Sequence, residues 1–193
     1  MLSLLPAVCS FVGLVGHVAH RHLGPLGCRM SAIPHQLNPT GFVVPYELRS
    51  SSIAGLGLFA TTHIARGTLL WKADHKSQIA HTEAQLRAKL ATLSRAEAVD
   101  LLEHIYCWGG EVLEIVGDAK FWNHSRVKQN TGNHPDGNSG GQGDGLSSYA
   151  LRDIEPAEEF LDDYAAYSKV PWFEALCLEY GAVSCTSIGK QFM

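Results

Sequence analysis

Short apolar runs separated by glycine-rich turns begin at about residue 41 and predict β-strands. The runs cover residues 42–44, 58–60 and 68–71, and residues 111–116 and 148–151 are two further strand candidates. Each run is shorter than an ordinary helix. The pattern therefore predicts a fold built mainly from short strands.

The period of the apolar positions changes between residues 82 and 105, where two short helices are predicted. Thr82 and Ser94 each stand three residues before a Gln or Glu, which is the spacing of a capping box. Apolar residues then recur at helical spacing: Leu86, Leu90, Leu93, Val99, Leu102 and Ile105. A last helix is predicted from Pro171 to about Gly181, because proline suits a first helical turn. The glycine-dense segment 132–145 is predicted to be a loop.

Residues 1–40 differ in composition from the rest of the chain and are predicted to form an N-terminal extension. No Asp or Glu precedes Glu47, and residues 2–19 are almost wholly apolar. A targeting segment within residues 1–30, removed or disordered, is the first interpretation. A membrane anchor is the rival, although His17 and His20 interrupt the run, and a start at Met30 is a third alternative. We expect an intracellular protein without stable membrane insertion, targeted to an organelle or alternatively present in the nucleus.

The composition limits the classes of function. Of the 193 residues, 46% are apolar and 18% are charged, so a core can be buried and global disorder is excluded. The formal net charge of −4 predicts no strongly basic surface, and direct binding of nucleic acid is not expected. The five cysteines are scattered and odd in number, which argues against a secreted disulfide framework.

Three motifs suggest chemistry, and each also has an ordinary structural explanation. Gly55-Leu56-Gly57 resembles part of a dinucleotide fingerprint, but that fingerprint needs a following helix and the next residues predict a turn and a strand. A nicotinamide-dependent oxidoreductase is therefore the weakest hypothesis. Asn123-His124-Ser125 by itself fits a glycosylation sequon or an Asx turn. The acidic run at residues 155–163 precedes Tyr164 and fits either a solvated face or a negative lip that attracts a cationic side chain.

Taken together, the order and spacing of these motifs resemble the SET-domain family, whose members are protein lysine methyltransferases that use S-adenosylmethionine. The resemblance covers about residues 41–181 and includes the Glu-Glu-Phe-Leu-Asp-Asp-Tyr block at residues 158–164. It implies a mixed α+β, mainly β fold of the β-clip type, with several small sheets, a helical insert at about 82–105 and a threaded C-terminal segment. The implied division is a SET domain over residues 41–167 and a helical, post-SET-like segment over residues 168–193.

The resemblance also implies a site. Tyr164 matches the family's catalytic tyrosine, and Tyr106 and Trp108 are candidates by position for the aromatic wall of a lysine channel. The residues expected to hold the cofactor are Gly55, Leu56, Gly57, Asn123, His124 and Trp172. For Trp172, packing in the core is an equally good interpretation, since most aromatic side chains are buried.

Several positions depart from the family's usual pattern. The block that follows Ser125 is one residue longer and lacks Cys and Pro, which changes the local turn rather than the cofactor contacts. Ala157 stands where glycine is usual, and Asp162 stands where an aromatic residue is usual, which alters the channel wall. Cys177 and Cys185 lie eight positions apart without a Cys-x-Cys, so no metal site is expected.

The resemblance implies transfer of a methyl group to a lysine of a histone or another basic protein. The lysine amine must be neutral to attack, and its ordinary pKa is about 10.4. An apolar aromatic channel beside a sulfonium disfavours the ammonium form, and Tyr164 would orient the amine. The alternative is a catalytically weak module that uses the same fold to bind a peptide or the cofactor.

Overall fold

The computed structural model describes residues 41–137 and 145–191. The N-terminal extension predicted for residues 1–40 and the middle of the glycine-rich loop lie outside the described residues. Within the described ranges the strands are β1 Tyr46–Ser50, β2 Leu56–Ala60, β3 Leu69–Lys72, β4 Gln78–His81, β5 Ile105–Trp108, β6 Glu111–Ile115, β7 Asn123–His124, β8 Thr131–Gly132, β9 Ser147–Ala150 and β10 Leu161–Asp162. The α-helices are α1 Glu83–Leu90, α2 Arg95–Glu103, α3 Pro171–Tyr180 and α4 Cys185–Gln191.

The strands form small separate sheets, as predicted for a mixed α+β fold. The hairpin β1–β2 is antiparallel, β3, β9 and β8 form one three-stranded sheet, and β4, β6 and β5 form another. The short pair of β7 and β10 is parallel, although these strands are far apart in the sequence. No described helix has the length and apolar character needed to cross a membrane.

The helical insert is confirmed, with one correction at its end. Thr82 and Ser94 each accept a hydrogen bond from the backbone N–H three residues later, and both capping boxes are complete. The second helix ends at Glu103, so the prediction that Ile105 belongs to a helix is wrong. Ile105 begins β5, where β-prone residues pair with β6. A local apolar period cannot distinguish this strand from another helical turn, because its partner is distant in sequence.

The first strand also differs from the prediction. Residues 42–44 contribute only an isolated bridge between Phe42 and Trp71. Phe42 instead packs its ring on Tyr46 and Trp122, with centroid separations of 4.2 and 5.4 Å. The regular strand lies later, at Tyr46–Ser50, and is largely exposed. Its sequence therefore lacks the alternation that marks a half-buried strand.

Two apolar cores support the structure. The first joins the helical insert to β5, β6 and α3, and it buries Leu86, Leu90, Leu102, Ile105, Val112, Phe173 and Leu176. The second lies between the β1–β2 hairpin and the three-stranded sheet of β3, β9 and β8. It buries Phe42, Leu58, Leu70, Trp71, Trp122, Ile154 and Phe160. Helix α3 begins at Pro171 and ends before Gly181 in the left-handed conformation, as predicted.

Strand β10 is hydrogen-bonded on both of its edges by one segment of the chain. On one edge it pairs with β7, and Ser125 N–H donates to the carbonyl of Asp162 at 3.0 Å. On the other edge, Asn130 N–H donates to the carbonyl of Leu161 at 3.1 Å. Successive carbonyls of a strand point in opposite directions, so residues 123–131 pass around β10. This arrangement is the threaded C-terminal segment that the resemblance implies.

The longer turn after Ser125 leaves this arrangement intact. Residues 126–128 are exposed, and Val127 is 95% exposed, so the extra residue extends into solvent. Asn130 is fully buried at the end of the turn. Its Nδ2 donates to the carbonyl of Glu159 at 2.8 Å, and its Oδ1 accepts from Leu161 N–H at 2.8 Å. A single amide therefore satisfies the backbone on both sides of Phe160.

Ala157 adopts a backbone conformation that suits glycine. Its φ is +69°, in the left-handed region where a Cβ crowds the backbone. The turn is held there because Ala157 N–H donates to the carbonyl of Ala60 at 2.8 Å and the Ala157 carbonyl accepts from Arg49 at 2.6 Å. The family's usual glycine at this position therefore has a local physical reason.

Asn130→Ala should lower the free energy of unfolding by about 2–4 kcal/mol, because Leu161 N–H and the Glu159 carbonyl lose a buried partner. Urea unfolding measures the change. Arg126→Ala, in the exposed part of the same turn, is the matched control and should change the free energy by less than about 0.5 kcal/mol. Equal effects of the two substitutions would contradict the role given to Asn130.

Ala157→Gly should raise the stability by about 0.5–1 kcal/mol, because relief of the left-handed strain exceeds the added entropy of the unfolded chain. Thermal unfolding of the variant and the parent measures the difference. The control is Ala88→Gly in helix α1, which should destabilise by about 1 kcal/mol. A loss of stability in Ala157→Gly would show that the turn does not strain the alanine.

Candidate functional site

The glycine motif lies in the loop and first residues of the β1–β2 hairpin. Ser51 N–H donates to the carbonyl of Gly55 at 3.0 Å, which closes the loop. Gly55 has a φ of +45°, and a Cβ placed there would meet no atom within 4 Å. The following residues enter β2 rather than a helix, as predicted, so the loop lacks the helix terminus that a dinucleotide fingerprint needs.

Asn123 joins this loop to the C-terminal part of the chain. Its Nδ2 lies 3.0 Å from the carbonyl oxygen of Leu56 and 2.8 Å from Oε1 of Glu159. The other carboxylate oxygen of Glu159 accepts from the Ser51 hydroxyl at 3.0 Å. A Cβ at Gly57 would overlap Oε1 of Glu159. Gly57 is therefore required for the close approach of the carboxylate, which in turn fixes the loop.

His124 places an imidazole against Tyr164. The two rings are stacked with centroids 5.1 Å apart and an interplanar angle of 27°. Nδ1 of His124 accepts a hydrogen bond from Tyr164 N–H at 3.1 Å and lies 3.1 Å from the carbonyl oxygen of Asp162. The imidazole thus fixes the backbone at the position where β10 ends and the tyrosine begins.

Tyr164 is half-buried, and its hydroxyl donates to the carbonyl of Trp122. Burial raises the pKa of Tyr164 well above its ordinary value of 10.0, and the neighbouring Cys185 and Asp162 raise it further. The phenol therefore stays neutral at physiological pH and can donate a hydrogen bond. It is suited to orienting a group rather than to accepting a proton.

Helix α4 packs directly against the turn that contains Tyr164. A Cβ at Gly189 would overlap the backbone of Tyr164 and Ala165, so the glycine permits direct contact between the helix and this turn. The side chain of Asp163 caps the turn by accepting from Ala165 N–H at 3.0 Å. The prediction ended the last helix near Gly181 and did not include α4.

An aromatic cavity of about 110 Å³ lies beside Tyr164. Tyr106 and Trp108, both predicted for the channel wall, line it. Tyr167 also lines it and connects them to Tyr164, because its ring lies 5.3 Å from that of Tyr106 and 5.4 Å from that of Tyr164. Trp122, whose carbonyl accepts from Tyr164, is a further lining residue. Tyr164 itself does not line the cavity, but it contacts two residues that do, Tyr167 and Trp122.

Sequence reasoning missed several residues of this site. Tyr167 could have been predicted from its spacing, because it stands three residues after Tyr164 and residues three apart share one face of a 3₁₀ turn. Tyr164–Ala166 form such a turn. Asp162 was noticed as a departure, and it lines the cavity. Gln129 also lines the cavity and had no signal in the sequence, because it reaches the site only through the wrapping of residues 123–131 around β10.

The acidic run at residues 155–163 does not form one negative lip, contrary to one of the two interpretations. Glu158 pairs with Arg152, Glu159 faces Asn123, and the side chain of Asp163 is 19% exposed. Glu155 remains at the surface, with 71% of its side chain exposed. Most of these carboxylates satisfy local hydrogen-bond donors instead of attracting a partner.

Trp172 lies in a different environment from the other candidates. It packs against the core of the helical insert, and its ring makes an edge contact with Phe173 at 6.1 Å. Its stacking on adenine stays a prediction.

Burial raises the pKa of the Cys107 and Cys177 thiols to about 12, so both are protonated at physiological pH. Within the two described ranges, no group of His, Cys, Asp or Glu could hold a metal ion.

Gly57→Ala should lower the free energy of unfolding by about 1–3 kcal/mol, because the new methyl group displaces Glu159 from Ser51 and Asn123. The same substitution in a Glu159→Ala background should cost much less, since the obstructing carboxylate is gone. Denaturant unfolding of the four proteins in this double-mutant cycle measures the coupling. Additive costs would show that Gly57 and Glu159 are independent.

The comparison with known proteins covers the residues of the candidate site. The SET-domain family model matches residues 55–165, which is more than half of the 193-residue chain. A search of curated proteins gave no match. A Plasmodium falciparum protein provisionally described as a histone methyltransferase is 16% identical, with a TM-score of 0.40, over 61% of this chain and 90% of that chain.

The SET domain protein DIM-5 of Neurospora, a histone lysine methyltransferase, is also similar. It is 16% identical, with a TM-score of 0.43, over 67% of this chain and 55% of that chain, so this chain spans about half the length of DIM-5. The matched residues 55–165 contain the glycine loop, Asn123, His124, Tyr106 and Tyr164. The chain therefore belongs to the SET-domain family, whose members are generally lysine methyltransferases.

Proposed function

We propose that this protein is an S-adenosylmethionine-dependent protein lysine N-methyltransferase. One observation carries the proposal: Tyr164 stands between the Gly55–Gly57 loop with Asn123 and His124 on one side and the aromatic cavity on the other. Asn123 contacts the loop, and His124 stacks on Tyr164. Tyr167 then connects Tyr164 to the cavity. This order suits a reaction in which a donor and an amine meet at the tyrosine.

The loop and its neighbours fit the cofactor that the family typically uses. Open space around the Cβ direction of Gly55 allows a ligand to approach the backbone closely. The nearby carbonyl of Leu56 and the carboxylate of Glu159 would attract the positively charged end of the cofactor's methionine part. Gly55, Leu56, Gly57, Asn123 and His124 would hold the cofactor. When bound, it would supply an electron-poor methyl group.

The cavity has the character needed to receive a lysine side chain. The aromatic rings of Tyr106, Trp108 and Tyr167 surround a space of about 110 Å³, which suits an unbranched alkyl chain better than a branched one. Their faces also attract the chain while its end is still a cationic ammonium. A low-dielectric wall disfavours the ammonium relative to the neutral amine, which is the form that attacks.

Tyr164 is proposed to orient the amine rather than to remove its proton. Its raised pKa keeps the phenol protonated, so it remains a hydrogen-bond donor and acceptor of fixed position. Gly189 and His124 hold the tyrosine from two sides. A preorganised group of this kind lowers the barrier because it needs no rearrangement during the reaction.

The substrate is proposed to be a lysine-bearing protein, either a histone or another basic protein. The exposed carboxylates of Glu155 and Asp153, near the half-exposed His63, offer a small acidic surface. This surface alone does not select one substrate. A catalytically weak binding module is the alternative, and it predicts cofactor binding without transfer.

Tyr164→Phe should lower methyl transfer at least about a hundredfold, as loss of one preorganised hydrogen-bonding group typically does. Binding of S-adenosylmethionine should persist. Transfer of labelled methyl groups to a histone mixture measures the first quantity, and calorimetric titration with the cofactor measures the second. Tyr180→Phe, at the end of helix α3, is the matched control and should keep full activity.

The pattern of results separates the hypotheses. Unchanged transfer by Tyr164→Phe would contradict the role given to this tyrosine. Cofactor binding by the parent protein without labelling of histones or of a cell lysate would favour the binding module. Stabilisation by a dinucleotide and not by S-adenosylmethionine in a thermal-shift assay would favour an oxidoreductase instead.

A further inference from the structure

A carboxylate lines the aromatic cavity. Asp162 is the last residue of β10, and it lines the cavity together with Tyr106, Trp108 and Tyr167. A charged side chain in such an environment is costly unless hydrogen bonds or an opposite charge compensate for the lost water. The groups around Asp162 must therefore compensate for the water that its carboxylate loses.

Hydrogen bonds occupy some of the acceptor sites of this carboxylate. Oδ1 accepts from Asp163 N–H at 2.7 Å and from Nε2 of Gln129 at 3.3 Å. Oδ2 accepts from the hydroxyl of Tyr167 at 3.0 Å. The two oxygens of a carboxylate offer about four acceptor sites, so these three donors leave capacity for another. The donors also fix the orientation of the carboxylate at the cavity wall.

The charge of Asp162 has no cationic partner in the described part of the chain. The ion pairs among the described residues involve other carboxylates, such as Asp136 with Arg66 and Glu158 with Arg152, and none includes Asp162. The uncompensated burial raises the pKa of Asp162 above its ordinary value of 3.8. A cation that entered the cavity would remove this imbalance.

Another polar group of the cavity, the hydroxyl of Ser148, lacks a hydrogen-bond partner within the described ranges. Ser148 lines the same space, and among the described residues its buried hydroxyl is the side-chain group that has no hydrogen-bond partner. A hydroxyl can accept a hydrogen bond as well as donate one. The lining thus combines a carboxylate, an unsatisfied hydroxyl and aromatic rings, which are three kinds of group that bind an ammonium ion.

We propose that Asp162 is a substrate-binding residue that recognises a primary ammonium group by its charge. This inference rests on the proposed function, because the lysine of the substrate supplies the ammonium. Free lysine is charged at physiological pH, so the side chain arrives as a cation. Asp162 selects that cation at the cavity wall, and the ammonium then loses its proton to water before methyl transfer.

The proposal also accounts for the unusual residue at this position. An aromatic side chain would add another ring to the wall and attract a cation only weakly. A fixed carboxylate distinguishes an ammonium from an uncharged group of the same length. Asp162 therefore makes the cavity specific for a charged amine, whereas the rings of Tyr106 and Trp108 accommodate the alkyl chain.

The test uses n-butylammonium chloride as a probe for the lysine side chain and n-butanol as its uncharged counterpart. Indole N–H signals of the full chain labelled with nitrogen-15 report binding. Trp108 and Trp122 line the cavity, and Trp172 packs on the other core and serves as the internal reference. In the parent protein, butylammonium should shift the cavity signals saturably and butanol should bind at least about tenfold more weakly.

Three variants separate charge from structure. Asp162→Asn should lose the preference for butylammonium, because an amide of the same shape carries no charge. Asp100→Asn, which removes an exposed carboxylate of helix α2 with 65% of its side chain accessible, should keep the preference. Tyr167→Phe keeps the charge of Asp162 and loses only a hydrogen bond to it, so it should also keep the preference.

The proposal is overturned if Asp162→Asn prefers butylammonium as strongly as the parent protein does. It is also overturned if Tyr167→Phe loses the preference equally, since the effect would then follow disruption of the cavity. Labelled methyl transfer to histones is measured on the same preparations. Transfer without an amine preference contradicts this inference alone, whereas an Asp162-dependent preference without transfer supports the amine site and contradicts the proposed function.

Discussion

Two-sided hydrogen bonding of strand β10 holds the parts of the candidate site together. Residues 123–131 pair with one edge of this strand and return to its other edge, where Asn130 bonds the backbone of Glu159 and Leu161. The strand is only two residues long, so pairing alone would hold it weakly. Enclosure by a single loop brings the Asn-His block and Tyr164 together without any large sheet. The unusual turn after Ser125 is tolerated because its extra residue extends into solvent.

This constraint separates two chemical environments that meet at one tyrosine. On one side, the Gly55–Gly57 loop presents backbone groups that Asn123 and Glu159 hold in place. On the other side, Tyr167 leads to an aromatic cavity with a carboxylate in its wall. In the proposed function, a polar donor site and an apolar acceptor channel have opposite solvation requirements, so one open cleft could not serve both. Tyr164, half-buried and neutral, forms the boundary between them.

Local features of the fold could be predicted from the sequence, and long-range features could not. Capping boxes and the Pro171 helix start depend on residues within one turn, so both were identified correctly. Strand β5 was taken for the end of a helix because its pairing with β6 is not a local property. The candidate site shows the same limit: the family resemblance implied Tyr164, whose role stays a prediction, whereas Gln129 reaches the cavity only through the wrapping of its loop. The compensation of Asp162 depends on three-dimensional neighbours and could not be inferred from its position in the sequence.

A crystal structure of the protein with S-adenosylhomocysteine, the product form of the cofactor, would locate the cofactor relative to Tyr164. We expect the ligand to lie between the Gly55–Gly57 backbone and the Asn123–His124 segment, with its sulfur facing Tyr164 and the cavity of Tyr106. Binding of the ligand at any other surface, or a sulfur separated from that cavity by intact protein, would contradict this expectation.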